Sequence, residues 1–67
     1  MVPALYLLRH ARRWSQEDLG ERAGGLTRET VSRIERGVEK PRPATQARLA
    51  AALGQPVGVV FPPEKEG

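Results

Sequence analysis

The sequence contains no cysteine. That excludes a disulfide framework and a thiolate zinc site, two common staples of a short chain. A single histidine, His10, leaves too few ligands for a metal cage and no base for a catalytic triad. Neither a metal nor a cofactor is therefore expected. Ser15 and Ser32 have no base at a plausible spacing and read as a cap and a helix-face residue, not as nucleophiles. With no acid–base pair and no room for a substrate cavity, the chain is not expected to be an enzyme. Long apolar runs are also missing. None exceeds five residues, as at residues 4–8, against roughly 20 needed to cross a bilayer. Arg9, Arg12 and Arg13 follow that stretch, whereas a secretory signal places its basic residues first. A soluble, cytoplasmic protein with no membrane contact is the expectation.

What the sequence does contain is arginine. The 67 residues carry 11 basic and 8 acidic groups, a net charge of +3. The charge is uneven: residues 1–14 are basic, 15–26 acidic, and 27–48 basic again. A basic segment inside a short chain suggests an anionic polymer as partner. A compositional bias toward Arg, Ala, Gly and Pro is the plain alternative. The length allows one domain, with a small core.

The apolar residues recur at three and four positions, never at two, so helices are expected and strands are not. Helix 1 is expected from about Pro3 to Arg12, with Pro3 in the first turn, where its missing N–H is not needed. Leu5 and Leu8 share one face with Arg9 beside them, while Tyr6 and Leu7 point elsewhere. Helix 2 opens on Ser15, with Asp18 completing a capping box. Trp14 and Leu19 have the spacing of a hydrophobic staple. Leu19 and Ala23 form its buried stripe, and Gly24-Gly25 ends it.

Helix 3 repeats the device. Thr27 is its N-cap, Leu26 and Val31 have staple spacing, Val31 and Ile34 face inward, and Gly37 ends it. The outer face then carries Arg28, Glu29, Ser32 or Arg33, and Arg36. Pro41 keeps the loop 38–42 from continuing the helix. Helix 4 follows from Pro43 to Leu53, with Leu49, Ala50 and Leu53 inward. A short helix 5 from Pro56 is expected to bury Val57, Val60 and Phe61. Gly20 lies inside helix 2, where glycine is about 0.5–1 kcal/mol worse than alanine. Close approach of a second helix is a physical reason to keep it. Two short helices on a tight glycine turn fit a helix-turn-helix unit, about residues 15–36.

Ser15-Gln16-Glu17-Asp18-Leu19, Thr30-Val31-Ser32-Arg33-Ile34-Glu35-Arg36-Gly37, Pro41 and Leu49-Ala50-Ala51-Ala52-Leu53-Gly54 together resemble the Cro/CI-type (XRE-like) helix-turn-helix family. The likeness runs from about Leu5 to Phe61. It implies an all-α, compact five-helix, lambda-repressor-like DNA-binding domain over residues 1–61, followed by a short flexible tail, 62–67. It implies sequence-specific binding of double-stranded DNA by a small transcriptional regulator, with recognition helix 27–36 in the major groove. A homodimer is the usual form, and Val59 and Phe61 or Tyr6 and Leu7 are the surplus apolar residues for its interface.

The same resemblance distributes roles. Arg28, Glu29 and Arg33 fall at base-reading positions. Arginine can pair bidentately with guanine, and glutamate can accept from cytosine N4. Alternatively Glu29 and Arg33 form an i,i+4 ion pair, which could itself aim Arg33. Gln16 falls where the family contacts phosphate and buttresses the recognition helix. Thr27, Thr30, Arg36, Lys40 and Arg42 are candidate backbone contacts. Arg36 should reach past the end of its helix. Arg9 and Glu35 match a buried ion pair of structural role. Two departures stand out: a second glycine in the turn, and Gln46 where leucine is more usual. Gln46 thus marks a thinner core or faces a partner chain. The rival reading is an antitoxin or co-regulator that mainly contacts another protein through Leu5-Tyr6-Leu7-Leu8.

Overall fold

The computed structural model describes residues 3–63. Within them lie five helices: α1 (Pro3–Ala11), α2 (Gln16–Arg22), α3 (Arg28–Glu35), α4 (Pro43–Leu53) and α5 (Val57–Val60). No strand occurs among the described residues. Of the expected tail, residues 64–67 lie outside the described residues, as do residues 1 and 2 of the expected domain.

The caps fall where local chemistry places them. The Ser15 hydroxyl accepts from the Asp18 N–H at 3.0 Å, and the Ser15 N–H donates to the Asp18 carboxylate at 2.9 Å. That bond from the Ser15 N–H to the carboxylate, with the nearby Ser15 hydroxyl second, holds the Asp18 carboxyl below the usual carboxylate range. Its share of stability is therefore present at neutral pH and is lost as pH falls through the lowered value. Thr27 caps α3 by accepting from the Thr30 N–H at 3.1 Å. Pro43 occupies the first turn of α4, and Gly54, with φ 68°, closes it.

Two boundaries differ from expectation. Helix α1 stops at Ala11, one residue early, because Arg13 takes φ 57°. The Trp14 N–H then returns to the Arg9 carbonyl at 3.2 Å. A left-handed arginine leaves no glycine to mark the stop. In α5, Val57 is exposed, not buried as expected. One helical turn can bury only one edge, and Val60 takes that place while Phe61 packs partly against the core.

Leu5, Leu19, Ala23, Val31, Ile34, Leu49, Ala50, Leu53 and Val60 form one aliphatic core. Leu8, Trp14, Leu26, Ala52 and Phe61 close over it. Every helix contributes to this core, so no helix pair stands alone. Trp14 lies between two guanidinium groups, Arg22 at 4.4 Å and Arg12 at 5.6 Å from its ring centre. Arg12 also donates to the Leu53 carbonyl at 2.5 Å, tying the end of α1 to the end of α4.

The turn between α2 and α3 folds tightly back on α2. The Gly20 carbonyl accepts from both Gly25 and Leu26 N–H groups, at 3.0 and 2.9 Å. Gly24 and Gly25 take φ of 95° and 94°, a region L side chains rarely adopt. The second glycine thus extends a turn that still closes on Gly20. A Cβ on Gly20 would fall inside contact distance of the Leu26 carbonyl oxygen. Close approach is therefore the reason for this glycine, and the neighbour is the turn itself.

Candidate nucleic-acid interface

Helix α3 is anchored on one side and open on the other. Val31, Ile34 and Glu35 are buried, while Arg28 and Glu29 are exposed and Thr30, Ser32 and Arg33 are half-buried. The outer face is therefore polar, with Arg28 and Arg33 alternating with the carboxylate of Glu29.

The inner anchor is ionic as well as apolar. Arg9 Nε donates to Glu35 Oε2 at 2.5 Å, and Nη2 donates to Oε1 at 2.9 Å. Arg9 Nη1 donates to the Trp14 carbonyl at 2.9 Å. Both residues are buried, and the fork geometry satisfies both carboxylate oxygens. The hydrogen bond from Arg9 to Glu35 raises the arginine's already high pKa, against the effect of burial. Gln16 Nε2 donates to the same Glu35 Oε1 at 3.3 Å. The start of α2, the end of α3 and the last turn of α1 thus meet at one carboxylate.

On the outer face Arg33 Nη2 donates to Glu29 Oε1 at 2.6 Å. Its Nη1 lies 3.8 Å from Glu39 Oε1 in the following loop. Arg28 stands exposed at the first position of α3. The Thr27 hydroxyl donates to Thr30 Oγ1 at 2.8 Å, so both side chains are engaged at the cap. Arg36 does not extend past the helix end as expected. Its Nε folds back to the Ser32 carbonyl at 3.4 Å, an oxygen that also accepts the Arg36 backbone N–H at 3.0 Å. Lys40 and Arg42 are exposed on the loop between α3 and α4.

Gln46, where the family more usually has leucine, is half-buried and hydrogen-bonded. Its Nε2 donates to the Pro41 carbonyl at 3.2 Å and fixes the loop that carries Lys40 and Arg42. Sequence reasoning missed Glu39. The signal for it was a six-residue separation across a glycine stop, which no helical periodicity encodes. His10 is exposed and stacks on Tyr6, with ring centres 4.1 Å apart. Among the described residues no three His, Cys, Asp or Glu side chains cluster as a metal site would need. No helix among them is long and apolar enough to cross a membrane.

Residues 4–60 match the sequence model of a family described as a helix-turn-helix domain. No curated protein and no solved structure matches the chain.

Proposed function

Because the chain belongs to the helix-turn-helix domain family, we propose that it is a sequence-specific transcriptional regulator that reads double-stranded DNA with α3. The observation that carries this reading is the division of α3 into a buried Val31–Ile34–Glu35 side and an outer side bearing Arg28, Glu29 and Arg33. Such a helix can enter the major groove without disturbing the core. Arg28 and Arg33 are the guanine readers, and Glu29 holds Arg33 or accepts from cytosine. Gln16, Thr27, Thr30, Arg36, Lys40 and Arg42 hold the sugar-phosphate backbone. Those contacts set register and affinity but carry no sequence information.

Selection from a random duplex pool tests the reading. One G·C-containing half-site should be enriched, and enrichment of no sequence would refute base reading. Arg28→Ala should lower affinity for the selected site by about 1–3 kcal/mol and relax preference at one base pair. Arg42→Ala should weaken all duplexes alike and reduce the salt slope by about one.

A single recognition helix covers about half of a symmetric site, so the functional species is a homodimer. Tyr6, Leu7, Val57 and Val59 supply exposed apolar surface on α1 and α5, two helices that pack together. Two half-sites would then lie about 34 Å apart, or a multiple of that. Sedimentation with and without the selected duplex should give two chains per full site. A single chain at every concentration would remove the dimer.

The protein-docking alternative keeps only part of its surface. Leu5 is fully buried and Leu8 is partly buried, which leaves only Tyr6 and Leu7 of that run exposed. They suit a second copy of the chain better than a separate continuous groove.

A further inference from the structure

The loop after α3 carries a carboxylate over the reading face. Gly37 takes φ 77°, and the Arg33 carbonyl accepts from the N–H groups of both Val38 and Glu39, at 3.0 and 3.3 Å. This returns the chain across the last turn of α3. Glu39 consequently lies on one end of the Arg33 guanidinium, at 3.8 Å, while Glu29 lies on the other, at 2.6 Å. One arginine is thus shared by two carboxylates that approach from different elements. Charge at this part of the face is two negative against one positive.

From this juxtaposition we infer that Glu39 is a specificity-determining residue, which positions Arg33 for a guanine and keeps it from the phosphates. The inference rests on the DNA-reading function proposed above. An arginine on a flexible stem gains from any nearby phosphate, whatever the sequence. Two carboxylates hold this one along the helix face, and their charge opposes approach to the backbone. Guanine offers O6 and N7 as a paired replacement for a carboxylate. The longer contact, to Glu39, is the one surrendered on a correct base pair, while Glu29 keeps its hold. On a wrong base pair nothing replaces Glu39, and Arg33 stays where it is. Glu39 therefore lowers affinity for all DNA but lowers it more for the wrong DNA. Gly37 and the shared Arg33 carbonyl matter because they set where this carboxylate can stand.

The test is Glu39→Gln, which keeps the shape of the side chain and removes its charge. Binding is followed by fluorescence anisotropy on the duplex selected by the parent, on the same duplex with the Arg33-dependent base pair exchanged, and on an unrelated duplex of equal length. Affinity for the unrelated duplex should rise about 3–10-fold, with a salt slope steeper by about one phosphate contact. The selected duplex should gain less, so the specificity ratio falls. In an Arg33→Ala background the same substitution should leave the ratio unchanged. Equal gains on all three duplexes would overturn the inference and make Glu39 a general repulsive charge. An unchanged set of affinities would overturn it as well. A ratio that still falls without Arg33 would show that Glu39 acts elsewhere. A parent that selects no sequence would refute the DNA-reading function itself, an outcome distinct from any of these. Far-UV circular dichroism confirms that the exposed substitution leaves the helices intact.

Discussion

Arg9→Ala should leave the chain largely unfolded at 25 °C. The guanidinium supplies three hydrogen bonds, two to Glu35 and one to the Trp14 carbonyl. Removing it leaves the buried carboxylate with the Gln16 amide, at 3.3 Å. Breaking a buried pair in this way costs about 3–5 kcal/mol. A core of this size rarely supplies more than about 3–5 kcal/mol in total. The loss is therefore comparable with the whole stability. Thermal unfolding followed by circular dichroism checks it, and a midpoint within about 5 °C of the parent would sink the argument. The paired replacement Arg9→Met with Glu35→Leu should be far milder, since apolar groups of similar volume often match or exceed a buried ion pair. Alkaline pH should not mimic Arg9→Ala. Glu35 raises the pKa of Arg9 in the fold, so the pair contributes fully below the unfolded value and fails only as pH rises through the higher folded one.

Gly20→Ala is the second large effect, and its sign is opposite to helix propensity. Inside an ordinary helix the change would gain about 0.5–1 kcal/mol. Here the added methyl meets the Leu26 carbonyl, a backbone atom with no rotamer to give way. Val31 Cγ2 lies 3.5 Å from the same point, so the methyl has no free direction. Overpacking of this kind costs about 1–3 kcal/mol when side chains can adjust, and more when they cannot. A net loss of about 2–4 kcal/mol is expected, together with displacement of α3 relative to α2. The variant should melt earlier. Its remaining folded fraction should bind the selected duplex worse than Ser15→Ala, which removes the hydroxyl that caps α2. A Gly20→Ala protein that melts at or above the parent temperature would show that the turn has room.

These two effects differ in how far the sequence announced them. The Gly20 prediction started as a residue in the wrong place, a poor helix former inside a helix. The unusual choice was visible, and the structure supplied the obstacle. Arg9 and Glu35 are 26 positions apart, and no local pattern joins them. Their pairing was available only as an implication of family resemblance. The core was easier. Leu5, Leu19, Ala23, Val31, Ile34, Leu49, Ala50, Leu53 and Val60 follow helical spacing, and all are buried. Val57 shows where that reasoning stops, because a four-residue helix has too few positions for a period to select its buried edge.

The outer face of α3 was legible for a similar reason. Once Val31 and Ile34 face inward, Glu29 must face out, whereas Arg28 is exposed as the first residue of α3. What each polar side chain does there was not legible. Arg36 turns back to a carbonyl of its own helix, Gln46 holds the loop, and Glu39 returns over Arg33. Such contacts depend on the path of the backbone after Gly37 and on which acceptor lies nearest.

The opening absences had direct consequences. Without cysteine the fold rests on helix caps, one aliphatic core and a buried ion pair. The sequence alone determined helical class, most helix limits and the charged side of α3, because capping, glycine stops and 3.6-residue spacing act within a few residues. Only the tertiary structure decided that three helices converge on Glu35, that the turn presses on Gly20, and that Arg33 is shared by two carboxylates. Those are distances between chain segments far apart in sequence, or across a stop that resets periodicity. They come into being only when the helices pack.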